Sequence, residues 1–328
     1  MEAGRGLRTL GSALIVAGLV GAAIATPHPA RAAEDSPESW TSYTAIPGAL
    51  TNGYTPALAS FDGYLYAAWV GQSSPYHIYY ARFNGSTWSA HSTIPSALTT
   101  RYTEPSLAVY EGDLYAAWTG QSSPYNLWFA GFNGSTWTGQ TEVPQAATAE
   151  YESPAIASYD GYLWFAWIGA SHKSVWDESV EEGGSWSGQA KIPPASSGGP
   201  YDYPSLASYD GDLFALWYQP GPAEISYATY NLTKWSAASV LVTGSVPGVL
   251  EGTATAVRSS TLYVAWWSEL YGLEYLTYNG SKWSGTSAEI PSDAEGPPAL
   301  AGYDGSLYAA WDGSPSSGSS TIDYTAGP

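Results

Sequence analysis

Residues 56–95 read PALASFDGYLYAAWVGQSSPYHIYYARFNGSTWSAHSTIP, and residues 105–144 read PSLAVYEGDLYAAWTGQSSPYNLWFAGFNGSTWTGQTEVP. They are one pattern written twice. Asp62-Gly63 and Asn84-Gly85 are two-residue hairpin signals, because these residue types accept the positive φ such turns demand. The turns divide the unit into four short runs. Strand A, Pro56 to Ser60, carries small side chains. Strand B, Tyr64 to Trp69, is apolar on both faces and should be buried on both. Strand C runs from about His77 to Phe83, and strand D starts near Thr87. No run has sustained helical periodicity. Four antiparallel strands in about 49 residues describe a β-propeller blade.

Working outward, the pattern recurs along the chain. One Trp series is Trp69, Trp118, Trp167, Trp217, Trp266 and Trp311; a second is Trp40, Trp88, Trp137, Trp186, Trp235 and Trp283. A Trp repeated at one strand position is expected to pack the wedge between blades. The repeats open inside a strand D, where Trp40 to Pro47 matches Trp88 to Pro95. They end after a strand C, Thr321 to Ala326. The surplus first strand is therefore expected to complete the last blade. The expected fold is all-β: a six-bladed β-propeller of four-stranded antiparallel blades over residues 33–328, closed by the N-terminal strand. Closure leaves no end blade with an exposed apolar face.

Residues 1–32 read as a signal peptide. Arg5 and Arg8 precede the apolar stretch Leu10 to Ala25, and Ala30-Arg31-Ala32 is a small-x-small cleavage site. The expected location is secreted and extracellular. The apolar stretch is short for a membrane span, so no membrane insertion is expected.

The 328 residues carry a net charge of −19 and no Cys. Disulfides, thiol catalysis and Cys-ligated zinc are excluded. The acidic balance argues against nucleic acid as a partner. Of the four His, His28 lies in the signal segment and His77, His91 and His172 are scattered among the repeats, so no metal or cofactor is expected. The repeated Asp-Gly and Asn-Gly-Ser sequences read as turn chemistry, not as calcium ligands or glycosylation acceptors, since each turn offers one carboxylate at most.

In an up-and-down blade the D-to-A and B-to-C loops share one face, here termed the top. Candidate ligand-binding residues gather there. Tyr54, Arg101, Tyr102, Glu104, Tyr151, Glu152, Asp202 and Tyr203 precede the A strands. Gln72, Tyr76, Gln121 and Tyr125 lie in the B-to-C loops, and Trp69 and Trp118 end strand B beside them. Amides and carboxylates bond sugar hydroxyls, and an aromatic ring covers an apolar C–H patch.

The element Asn84 to Trp88 resembles the turn-then-Trp element of sialidase blades, whose resemblance would imply three arginines around a sugar carboxylate. Beyond the signal the chain has only Arg82, Arg101 and Arg258, of which only Arg101 is expected on top. Glycoside hydrolysis needs two carboxylates about 5–9.5 Å apart. The A strands PALAS, PSLAV, PAIAS, PSLAS, TATAV and PALAG carry no acid, base or His. A non-catalytic protein is expected. A glycoside hydrolase or lyase using Glu104, Glu152 or Asp202 is one alternative; a protein-interaction or assembly subunit of a secreted complex is another.

The closed six-fold repeat and its junction residues resemble secreted six-bladed fucose-binding lectins. They are also similar to the lectin subunits of actinobacterial umbrella-type toxins. The resemblance implies sugar bound between blades by an Arg, a Glu and an aromatic residue. Arg101, Glu104 and Tyr102 form the junction that carries all three. It further implies a lectin-like protein with several inter-blade sites on one face, binding neutral glycans at cell surfaces through multivalency.

Overall fold

The structure is a computed structural model. It describes residues 39–51, 53–170, 176–192, 203–219, 224–242, 252–313 and 320–328. The predicted signal peptide and its cleavage site lie outside the described residues, as does Asp202. Residues 35–328 form one compact unit.

The architecture is a β-propeller of four-stranded antiparallel blades. The first strand, β1 (Thr44–Thr51), is followed by β2 (Ala57–Phe61), β3 (Tyr64–Val70), β4 (Tyr76–Phe83) and β5 (Ser92–Thr99), which form the first complete sheet. The second holds β6 (Ser106–Tyr110), β7 (Asp113–Thr119), β8 (Asn126–Phe132) and β9 (Thr141–Ala147). The third holds β10 (Ala155–Tyr159), β11 (Tyr162–Ile168), β12 (Trp176–Glu182) and the short β13 (Ser185–Trp186) and β14 (Ala190–Lys191). The fourth is β15 (Ser205–Tyr209), β16 (Asp212–Gln219), β17 (Glu224–Tyr230) and β18 (Ser239–Val242). The fifth is β19 (Ala254–Arg258), β20 (Thr261–Ser268), β21 (Gly272–Tyr278) and β22 (Ala288–Ile290). The last sheet has the order β1-β25-β24-β23, with β23 (Ala299–Tyr303), β24 (Ser306–Gly313) and β25 (Ser320–Gly327).

The pairing of β1 with β25 is antiparallel, from Thr44 opposite Tyr324 to Thr51 opposite Ser320. The residue after the D-strand Trp, in four of the sheets, shows why β1 belongs there. Ser89 N donates to Arg82 O, Thr138 N to Gly131 O, Ser236 N to Thr229 O and Ser284 N to Thr277 O, all within one sheet. Thr41 N donates the equivalent bond to Ala326 O at 2.8 Å, across the two ends of the chain. Trp40 packs edge-on against Tyr275 of the fifth sheet, as Trp88 packs against Tyr324 of the last.

The strand-B Trp series is the wedge. All six are at most 1% exposed. Trp118 packs on Ile78, Ile94 and Ala97 of the preceding sheet, and Trp167 on Leu127, Val143 and Ala146. Trp69 packs on Ile46, Ala49 and Ile322, which belong to the last sheet. Burying an indole contributes a large apolar area in each wedge.

The A-to-B turns are two-residue hairpins with both residues at positive φ, as at Asp62 (47°) and Gly63 (76°). They also link neighbouring sheets. Tyr110 OH donates to Gly161 O, Tyr159 OH to Gly211 O, Tyr209 OH to Ser260 O and Tyr303 OH to Gly63 O. Arg258, at the same repeat position, donates from Nε to Gly305 O at 2.7 Å. The Asn-Gly turns close on themselves, with Asn84 Oδ1 accepting from Ser86 N and Thr87 N.

Strand D differs from expectation. It was expected near Thr87, but Trp88 makes only an isolated bridge to Phe83, and regular pairing resumes at Ser92. The pairing of β4 with β5 then shifts register. Ser96 adopts φ 61° inside β5, as do Gly48 (72°) in β1 and Gln145 (62°) in β9. A residue at such a φ is accommodated as a bulge, which bends the strand and re-aims its upper end. These bends carry three D strands towards the B-to-C loop of the next sheet.

Candidate functional site

The A strands surround a narrow axial cavity of about 130 Å³, whose lining draws on all six sheets. Its mouth is tied together by side chains the sequence presented as ligand-binding candidates. Glu104 Oε1 accepts from Thr55 N at 3.1 Å, and Glu104 N donates to Ser153 Oγ at 2.7 Å. Tyr203, 4% exposed, donates from its hydroxyl to Tyr102 O at 3.0 Å. Tyr54, Tyr102 and Tyr151 form an edge-to-face arc, with centroids 5.7 and 5.0 Å apart. Glu152 is 4% exposed, and its carbonyl accepts from Thr119 Oγ1. A carboxylate that accepts a buried backbone N–H holds a strand end in place. Glu104→Ala is expected to cost about 1–3 kcal/mol of stability, measured by denaturant unfolding.

Away from the axis, two cavities flank the loop at Gln121. The inner cleft, about 270 Å³, is lined by Tyr76, Arg101, Tyr102, Gln121 and Glu150, with Thr100 beneath. Arg101 lies with its guanidinium 5.3 Å from the Tyr102 ring centroid. Glu150 is positioned by its own carbonyl, which accepts from Thr100 Oγ1 at 2.9 Å. Partial burial and the adjoining Glu150 carboxylate hold the Tyr125 hydroxyl above the ordinary phenol range. The cleft thus sets a cation, a carboxylate, an amide and two phenol rings around one space.

Four of the sequence-derived residues therefore meet: Tyr76, Arg101, Tyr102 and Gln121. Gln72 is exposed on the first sheet's own loop. Trp69 and Trp118 are each 1% exposed and serve the wedges, although Trp118 also backs the outer cavity. The carboxylate beside Arg101 is Glu150, not Glu104, whose side chain turns to the axis. Glu150 precedes Tyr151 as Arg101 precedes Tyr102. That reversal of charge at one repeat position is the signal in the sequence that could have found it.

The three arginines stand apart. Arg82 lies 4.5 Å from the Tyr64 ring centroid, Arg258 holds the Gly305 turn, and Arg101 is in the cleft. Among the described residues no group of three or more His, Asp or Glu is arranged to hold a metal ion. No described helix is long and apolar enough to cross a membrane.

No family model matches this chain, and no curated protein does. Solved structures share its fold. A Hadza microbial sialidase superposes with a TM-score of 0.63 at 13% identity, over 84% of this chain and 66% of the sialidase. AofleA from Arthrobotrys oligospora gives 0.62 at 15%, over 85% of each chain. The fucose-specific lectin from Aleuria aurantia gives 0.62 at 12%, over 86% of this chain and 98% of the lectin. The chain spans about two thirds or less of the sialidases it matches, 55% in the case of a Trypanosoma rangeli sialidase. One fold hosts both lectins and hydrolases, so function must be argued from the site.

Proposed function

We propose that this chain is an exported, non-catalytic carbohydrate-binding propeller that recognises neutral glycans through clefts between blades on its top face. The observation that carries this reading is the convergence of Arg101, Glu150, Gln121, Tyr76 and Tyr102 on one cleft. Arg101 supplies only donors, Glu150 only acceptors and Gln121 both, which together match vicinal hydroxyls that donate and accept. The rings offer apolar faces to sugar C–H groups. The solved lectins with this fold support the reading. So does the separation of the three arginines, which leaves a single cation in the cleft. Neighbouring blades that present weak sites on one face would gain avidity on a glycan-coated surface.

A glycan array tests this directly. The full chain is expected to bind neutral glycans, and Arg101→Ala combined with Gln121→Ala is expected to lower the signal at least tenfold. Both residues are exposed, so the double variant should keep its melting temperature. Binding unchanged in that variant would move the site elsewhere; reducing-end release by the wild type would overturn the non-catalytic reading.

A further inference from the structure

The outer cavity, on the far side of the Gln121 loop, is not needed for the cleft just described. It encloses about 390 Å³ between the bulged end of β5 and the B-to-C loop of the next sheet. Its walls are Trp128, Asn126 and Gln140, with Ser96 and Leu98 from β5 and Ser122 on the loop. The lining residues are neutral. Asn126 Nδ2 donates to Glu142 Oε1 at 2.7 Å, which fixes the amide in place. Trp128 is held by Gly120: a Cβ there would stand 2.8 Å from Trp128 Nε1. The glycine lets the indole lie close against the end of β7.

This wall is not a requirement of the fold. The strand-B Trp is buried in every sheet, but its register partner on strand C changes. It is Tyr79 opposite Trp69 and Trp128 opposite Trp118. It is Asp177 opposite Trp167, Ser226 opposite Trp217, Glu274 opposite Trp266 and Asp323 opposite Trp311. Where the partner is aromatic, a glycine sits beneath it: Gly71 under Tyr79 and Gly120 under Trp128. In the fifth sheet Ser268 and Ser287 donate to Glu274 instead. Among the described residues, two neighbouring seams therefore set a strand-C aromatic opposite the strand-B Trp, whereas in the last sheet the ring beside Trp311 is Tyr43, from the segment before β1. In the first of the two seams Tyr79 stands beside Trp69 and His91, with centroids 6.2 and 5.3 Å away.

We infer that the outer cavity is a second sugar subsite, continuous with the inner cleft across Gln121, so that the ligand is a neutral oligosaccharide of at least two units. Gln121 borders both cavities and bridges adjacent sugar units. The inner cleft, at about 270 Å³, falls just short of the ~300–1,000 Å³ range of ligand sites, and the outer cavity, at about 390 Å³, lies near its lower end, so the two together leave room for more than one sugar unit. Trp128 takes the apolar face of the outer unit, and Asn126 and Gln140 take its hydroxyl or acetamido groups, since each amide both donates and accepts. The inference rests on the carbohydrate-binding reading and adds the chain length of the ligand and a Trp128-type subsite in two seams.

The test is an array carrying glucose, N-acetylglucosamine, mannose, galactose and fucose, each as the monosaccharide and as di- and trisaccharides ending in it. The full-length wild type is expected to bind at least one trisaccharide tenfold or more above its monosaccharide. Tyr79→Ala with Trp128→Ala should return that signal to the monosaccharide level and leave monosaccharide binding unchanged. His91→Ala with Gln140→Ala, at exposed and half-buried rim positions, should lower it in part and guards against misfolding of the first pair. Equal signals for one and three units, or a chain-length gain that survives both pairs, would overturn the subsite while sparing the lectin reading. Absence of binding to any sugar would overturn both.

Discussion

Deletion of residues 39–51 is expected to eliminate the cooperative thermal transition of this protein. The segment supplies the fourth strand of the last sheet, pairing with β25 from Thr44 to Thr51. Ile46 and Ala49, each 1% exposed, pack on Trp69, Ala310 and Ile322. Their removal strips the wedge on which the first sheet's Trp69 rests. It also removes Trp40, against which Gly327 packs so closely that no Cβ fits. The loss combines a ladder, a core layer and an inter-blade contact. It should rival the ~5–15 kcal/mol that holds a typical domain together. The milder Ile46→Ala should cost about 2–5 kcal/mol, the range for emptying a buried Ile site. Circular dichroism melts and urea titrations check both. A deletion variant that melts cooperatively within a few degrees of the wild type would show that β1 is dispensable.

Asp312→Asn is expected to stabilise the protein at neutral and alkaline pH and to leave it unchanged near pH 4. Asp312 sits at the top of β24, and its Oδ1 is buried without a hydrogen bond. Burial raises its pKa from 3.8 to about 7; Ser320 opposes the shift by hydrogen bonding, while Glu295, Asp323 and Asp293 reinforce it. Burial, then Asp293, also pushes Asp323 upwards. A folded-state pKa above the unfolded value means that the folded protein binds the extra proton. The stabilisation is thus complete below about pH 4 and is lost as pH rises through about 7. Partial exposure screens the charge, so the gain for Asp312→Asn should be roughly 1–3 kcal/mol at pH 8. Denaturant midpoints of wild type and variant at pH 4 and pH 8 measure it. A gain of the same size at both values would trace the effect to packing instead.

Much of the fold was legible because its determinants are local. Asp62-Gly63 and Asn84-Gly85 announce hairpins wherever they stand, and Trp69 to Trp311 mark a wedge that repeats with the chain. The opening strand-D pattern at Trp40 had no partner in sequence, and β25 is where it pairs. The D strands were less legible. Positive φ at Ser96 and Gln145 belongs to residues that rarely signal it, so their bulges were not visible in the residue types.

The site divides along the same line. Residue types and spacing were enough to place Tyr76, Arg101, Tyr102 and Gln121 on one face, since they follow the same turns in successive repeats. Which of them meet depends on the bend of β5 and on side chains that turn towards or away from the axis. Glu104 turned inward to a backbone N–H and Glu150 took the place beside Arg101, while Trp128 became a wall only because Gly120 lies beneath it. Hairpins and strand periodicity are written in neighbouring residues. A cleft is a coincidence of residues tens of positions apart, and only the packing of one sheet on the next brings their charges and rings within reach of a common ligand.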